Sequence, residues 1–345
     1  MLLMRRLIAP FVLLSLLFGV EFVARDLETR LPAPLTWDNQ FTQDKAEQMA
    51  GLSGESVDIV FVGSSVLQTN VDPALFAAFS DTFESGYNAA IPSATPRIWR
   101  QFTLDTAHRK MCPSTMVVGV DIRQYNDNKP GGNQQLDRYL TSRGRNVYVG
   151  EATGWERAEQ WMERASALVR IRARLREPDK VVAWLRNVDR PGDWRDTSLT
   201  DEGRYRGFER RTYEQSDDRI DRLRNGAFRD LAIGGIEEQA TRQIVTDALD
   251  RGIDVVLVEM PAMIAELTSA LPDGEADLTR FRASLESVAG DLGVPLIRLA
   301  ELNDRTELYA DEYHMNLTGT ETFTRVLADR LDDLTLAAGG RLCDT

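Results

Sequence analysis

The chain has only two histidines. One of them, His314, closes the run Asp311-Glu312-Tyr313-His314. A histidine is the usual side chain for moving a proton near neutral pH. An aspartate three residues earlier in the same loop can accept the imidazole's second N–H and fix its tautomer. Such a pair needs a nucleophile, and Gly63-Ser64-Ser65 offers one directly after the apolar run VDIVFV, residues 57–62. Gly63 permits a tight turn out of a strand, from which Ser65 can project toward a crevice. By itself Gly-Ser-Ser also fits an ordinary turn. A third stretch, Tyr87 to Thr95, is a loop of small and polar residues leading to Pro96. The backbone N–H groups of such a loop can hold an oxyanion.

These residues must be carried by elements the hydrophobic pattern reveals. VDIVFV, MVVGVD (116–121), DVVLVE (254–259) and VPLIRL (294–299) are short, nearly continuous apolar runs, as expected of strands buried on both faces of a parallel sheet. Between and after them the pattern predicts helices. One is capped by Asp72 with Pro73 in its first turn, one begins near Pro96, and others cover about 235–251, 276–291 and 318–336. Strands alternating with helices predict an α/β fold with a doubly wound parallel sheet in three layers. All three chemical features then fall at the carboxyl ends of strands or in the loop before the last helix. From about 127 to 232 the rhythm lapses. That stretch is rich in Arg, Glu, Asp and Trp and predicts a helical insertion.

The order and spacing of these blocks over roughly 57–125 and 235–335 resemble the SGNH/GDSL hydrolase superfamily. Ser65 matches that family's nucleophile, and Asp311 and His314 match its D-x-x-H pair. The Asn88 to Ser93 stretch matches its N-x-x-x-x-G loop, with Ser93 in place of the glycine that donates to the oxyanion. Its GxND block matches less closely: after MVVGVD, a gapless alignment puts Arg123 at the asparagine, and Asn126 lies one turn later. The resemblance therefore implies an oxyanion hole built from Ser65 and Ser93 with a third donor at Arg123 or Asn126. It implies acyl transfer through an acyl-Ser65 intermediate, with no cofactor and no metal. The Gly-Ser-Ser variant, the D-x-x-H-x-N-x-x-G tail, the insertion and the N-terminal segment look most like the membrane-attached branch. That branch includes alginate and peptidoglycan O-acetyltransferases and the D-alanyl transfer protein of teichoic acid synthesis. The implied partners are an acyl donor, an envelope glycan or ester substrate, and a membrane protein that delivers the acyl group. A hydrolytic esterase and a non-catalytic envelope assembly protein are the alternative readings.

Arg5 and Arg6 precede the apolar run Leu7 to Ala24, broken only by Glu21. About 18 such residues approach the 20 or so needed to span a bilayer, and the basic flank keeps the N-terminus inside. The segment reads as an anchor, with a cleaved signal peptide as the rival, and either places the body outside the cytoplasm. Domain organisation follows: 1–24 anchor or signal, 25–55 linker, 56–345 an SGNH-like domain with its insertion. A net charge of −13 excludes a general nucleic-acid binder. Cys112 and Cys343 are too few for a disulfide framework, though an oxidising compartment would permit them to pair. His108 reads as a surface residue, and the arginine run Arg170 to Arg176 as the solvated face of a helix, with a hold on an anionic polysaccharide as the alternative. Trp155, Trp161, Trp184 and Trp194 fit helical packing or sugar stacking.

Overall fold

The computed structural model describes residues 15–27, 48, 57–103, 111, 113–128, 158, 161–162, 165–175 and 199–334. His108, Cys112, Cys343, Trp155, Trp184 and Trp194 lie outside these residues. By contacts the chain forms two units, residues 1–40 with 135–195, and residues 41–134 with 196–345.

In the first unit, residues 15–27 are helical, and a second helix covers Ala167–Leu175. Glu21, the lone charge inside the apolar run, caps that second helix. Its carboxylate accepts from the Ser166 hydroxyl at 2.7 Å and the Ala167 N–H at 2.8 Å, satisfying donors that a helix start leaves open. Ala24, Ala167 and Ile171 pack together beside it. Among the described residues no helix is long and apolar enough to cross a membrane.

The second unit is built on five parallel strands: β1 (Ile59–Gly63), β2 (Gly86–Asn88), β3 (Thr115–Val120), β4 (Asp254–Glu259) and β5 (Leu296–Arg298), in the order β2-β1-β3-β4-β5. β1 and β3 are buried along their whole length, which is why their sequences are apolar without alternation. β2 is only three residues long, Gly-Tyr-Asn, and has no apolar run to reveal it. The helices are α1 (Ser65–Asn70), α2 (Pro73–Phe79), α3 (Pro96–Phe102), α4 (Asp217–Asn225), α5 (Ile236–Leu249), α6 (Ile264–Ala270), α7 (Glu275–Leu292) and α8 (Leu317–Asp332). α8 packs on α1 and α2, while α5 packs on α3 and α7. Right-handed crossovers that first step left from β1 and then right from β2 place these two groups on opposite faces. The result is the expected three-layer α/β sandwich.

The strand order reverses between β1 and β3, and the crevice at such a point is where open α/β sheets place their sites. Close approach there demands glycine. A Cβ on Gly63 would lie 2.8 Å from the Gly119 carbonyl oxygen of the neighbouring strand. Gly63→Ala is therefore expected to cost about 1–3 kcal/mol through forced displacement in a packed core. The urea midpoint should fall with little change in slope, and an unchanged midpoint would show that β1 and β3 can part without penalty.

Candidate active site

Ser64, not Ser65, caps α1: its Oγ accepts from the Val66 N–H at 3.3 Å. Serine and aspartate cap helices about equally well, so Gly-Ser-Ser keeps the local geometry that an aspartate at this place would give. Ser65 is then the first helical residue. Nothing among the described residues accepts from its N–H, and its half-buried side chain stands at the carboxyl edge of β1.

His314 comes from the loop before α8. Tyr309 and Met315 form an antiparallel bridge, and within the hairpin Asp311 Oδ1 accepts from the Tyr313 and His314 N–H groups at 3.0 and 2.8 Å. The same carboxylate lies 2.9 and 2.8 Å from His314 Nδ1, while His314 Nε2 lies 2.9 Å from Ser65 Oγ. The structure thus brings Ser65, His314 and Asp311 into one line of hydrogen bonds. Burial of Asp311 opposes its ionisation, but attraction to His314 and the hydrogen bonds it accepts hold its carboxyl well below the usual carboxylate range. Burial and the neighbouring Asp311 push Glu312 in the other direction.

The oxyanion candidates divide. Ala89 and Ile91 donate their N–H groups to Phe61 and Gly63 of β1 at 2.8 and 2.9 Å, which lays the loop alongside the Ser64-Ser65 turn. Two residues on, Ser93 has φ +57°, the left-handed conformation that glycine adopts most cheaply. Its N–H donates to nothing among the described residues. Asn126 is different. Its amide donates to the Ala227 and Arg229 carbonyls and accepts from the Asn128 and Ala232 N–H groups. Fully buried and engaged at both ends, it staples residues 227–232 to the end of β3. Arg123 is anchored as well. Its backbone N–H, Nε and Nη2 all donate to Asp121, and its guanidinium lies 3.3 Å from the centre of the Tyr313 ring. It braces the histidine hairpin against β3.

Two residues not singled out in the sequence complete the site. Asn70, fully buried at the end of α1, donates to the Tyr313 carbonyl at 3.1 Å and accepts from the Met315 N–H at 2.9 Å. It grips the backbone on both sides of His314. Phe208 stacks on the imidazole, centroids 4.3 Å apart and planes at 15°. Its segment is held by Arg204, a buried arginine paired with Asp72 at 2.7 Å and Glu209 at 3.0 Å. Neither carries a motif: an asparagine ending a short helix and an aromatic in a loop acquire meaning only from contacts distant in the chain. On the Asp311 side the site opens into a cleft of about 660 Å³.

The chain matches no protein-family model and no curated protein. Among solved structures it is similar to phospholipase A1 from Streptomyces albidoflavus NA297, at 10% identity and a TM-score of 0.37, over 80% of this chain and 99% of that one. A candidate arylesterase from Agrobacterium tumefaciens str. C58 is similar at 11% identity and a TM-score of 0.33, again over 80% and 99%. At such low similarity, function has to be argued from the site itself.

Asn70→Ala removes both grips and leaves a buried carbonyl and N–H unpaired, a loss of about 1–3 kcal/mol for each group. Kinetically we expect kcat for acyl-ester turnover to fall by roughly tenfold or more with little change in KM, because small misplacement of a catalytic group costs rate. A variant that loses only stability, at unchanged kcat, would refute the positioning role. A second expectation concerns pH. Asp311 is an acid whose folded value lies below its ordinary 3.8. Its contribution to stability is therefore complete above that value and is lost as pH falls through and below it. Asp311→Asn should be less stable than the parent at pH 6, and the difference should shrink toward pH 3 in urea titrations. A gap that widens on acidification would reverse the sign.

Proposed function

We propose that the protein is a serine acyl-transfer enzyme that moves an O-acyl group, most simply acetyl, to or from a cell-envelope polysaccharide. The observation that carries this reading is the single line from Asp311 through His314 to Ser65, with contacts of 2.8 and 2.9 Å.

In the first half-reaction His314 Nε2 takes the proton from Ser65 Oγ as that oxygen attacks the ester carbonyl. The imidazolium formed is stabilised by Asp311, and Phe208 keeps the ring in plane. Negative charge gathers on the carbonyl oxygen and is held by the N–H groups of Ser65 and Ser93, which have no acceptor among the described residues. Loss of one such donor costs about 3–4 kcal/mol of transition-state stabilisation. The tetrahedral adduct collapses, His314 returns the proton to the leaving alcohol oxygen, and the acyl group stays on Ser65. In the second half a sugar hydroxyl gives its proton to His314 as it attacks the acyl-serine carbonyl; the adduct expels Ser65 Oγ, which takes that proton back from His314, and the new sugar ester leaves. Water in place of the sugar gives hydrolysis by the same steps.

An N-terminal membrane anchor, with the sheet unit on the extracytoplasmic side and a membrane protein supplying the acyl donor, belongs to the same proposal. It is supported by the basic flank and the apolar run, whose described helix exposes Leu16, Leu17, Phe18, Phe22 and Val23. These side chains have a reason to be uncovered if they face lipid.

A fluorophosphonate probe should label the wild type at Ser65 and fail to label Ser65→Ala. Turnover of an acetyl ester by Ser65→Ala should drop roughly 10⁴- to 10⁶-fold. Retained turnover, or labelling elsewhere, would sink the acyl-serine mechanism. Mass spectrometry of a glycan incubated with an acetyl donor then separates the acceptors: acetylated sugar supports transfer, and free acetate alone supports hydrolysis.

A further inference from the structure

The cleft beside Asp311 is walled by arginines. Arg210, Arg211 and Glu214 come from the segment after Phe208, Arg219 and Arg222 from α4, and Asp311 and Glu312 from the histidine hairpin. In a chain of net charge −13, four arginines against the three carboxylates Glu214, Asp311 and Glu312 in one cleft run against the overall balance. Two are partly occupied: Arg219 Nε lies 3.3 Å from Glu312, and Arg211 lies over the Phe208 ring at 4.5 Å. Arg219 Nη1 is buried with no hydrogen-bond partner. Arg210 and Arg222 are exposed and have no carboxylate partner among the described residues.

Helix electrostatics accounts for part of this. Arg222 lies in the last turn of α4, where a positive charge is favoured. It does not account for Arg210 and Arg211, which stand outside any helix, nor for the unused Arg219 nitrogen. The position is also specific. Asp311 is shared between the cleft and the hydrogen-bond line, and Arg211 reaches the imidazole through the Phe208 ring. A group bound in the cleft therefore lies at the Nδ1 end of His314, one ring away from the Ser65 end where an ester would react.

We propose that this cleft binds an anionic group, a carboxylate or a phosphate, on the molecule that carries or accepts the acyl group. Planar guanidinium forks pair with such oxyanions through two hydrogen bonds at once. Arg210 and Arg222 make the direct contacts, and Arg219 adds its positive charge beside them. Binding at this distance from the reacting carbonyl orients the substrate and supplies remote binding energy for catalysis. The inference rests on Ser65 being the nucleophile, since that fixes which end of the site reacts.

The test separates the two ideas. Calorimetric titration uses Ser65→Ala protein, whose binding does not depend on turnover, against a galacturonate trisaccharide, glycerol phosphate and a neutral xylotriose. We expect one of the two anions to bind measurably more tightly than xylotriose. We also expect its affinity to fall about tenfold or more in Ser65→Ala/Arg210→Ala/Arg222→Ala protein, the loss of one or two charge-assisted contacts. The anion that binds identifies the chemistry. Equal binding of all three, or anion binding indifferent to the two arginines, overturns the cleft whatever Ser65 does. On the catalytic protein, the ratio of kcat/KM for an anionic acetyl ester to that for a neutral one should fall by the same factor in Arg210→Ala/Arg222→Ala. An unchanged ratio overturns the proposal even where Ser65 chemistry is sound.

Discussion

The site depends on one buried asparagine. Asn70 ends α1, and Ser65 begins it, so a single short helix carries the proposed nucleophile at one end and the clamp on the histidine loop at the other. Five helical steps at 1.5 Å each span about 7.5 Å. Once the Tyr313 carbonyl and the Met315 N–H are fixed to Asn70, His314 between them has little freedom relative to Ser65. The helix is itself held. Asn88, at the end of β2, donates to the Leu67 and Val71 carbonyls at the C-terminal end of α1. Thr320 of α8 donates to the Thr69 carbonyl. Residues separated by some 250 positions are thereby fixed by short polar contacts inside an apolar frame, where hydrogen bonds are strong and their loss is costly.

The same economy governs Asp311. One carboxylate shapes its own hairpin through two backbone N–H groups and also holds the imidazole. Each donor favours the ionised form, so the contacts that set the loop's geometry also keep the charge that an imidazolium would need. Arg123, over Tyr313 and tied to Asp121, supports this hairpin from β3. An apolar sheet supplies the rigidity, and its polar carboxyl edge supplies the groups to be positioned.

How much of this was legible in the sequence follows from which contacts are local. Long buried strands announce themselves by composition, and α2, α3, α5, α7 and α8 by caps and periodicity. The Asp-x-x-His loop is read from one stretch of chain because its geometry is an i to i+3 matter. β2 has three residues and no apolar run. α1 is six residues beginning on the serine motif itself, which favours reading it as a turn. Asn70 and Phe208 have no local signature, because their partners lie 243 or more and 106 residues away in sequence. Asn126 looked like a donor because it sits one turn beyond the expected place. The structure shows its amide engaged by residues 227–232, a need invisible without knowing where that segment returns.

The departures from the motifs of the family that the sequence resembles point in one direction. Where the family has aspartate before the nucleophile, Ser64 provides the same cap. Where it has glycine, Ser93 takes the left-handed backbone and accepts roughly 1–2 kcal/mol of strain. Where it has the oxyanion asparagine, Arg123 braces the loop instead. If the chain is an acyl-transfer enzyme, its oxyanion is held by main-chain N–H groups whose positions are set by β1, β2 and the Ser64 cap. Such donors cannot be removed by substituting the residues that bear them, so tolerance of side-chain change at Ser93 is what this geometry allows. The identity of Ser65, His314 and Asp311 remains the part that the chemistry cannot exchange.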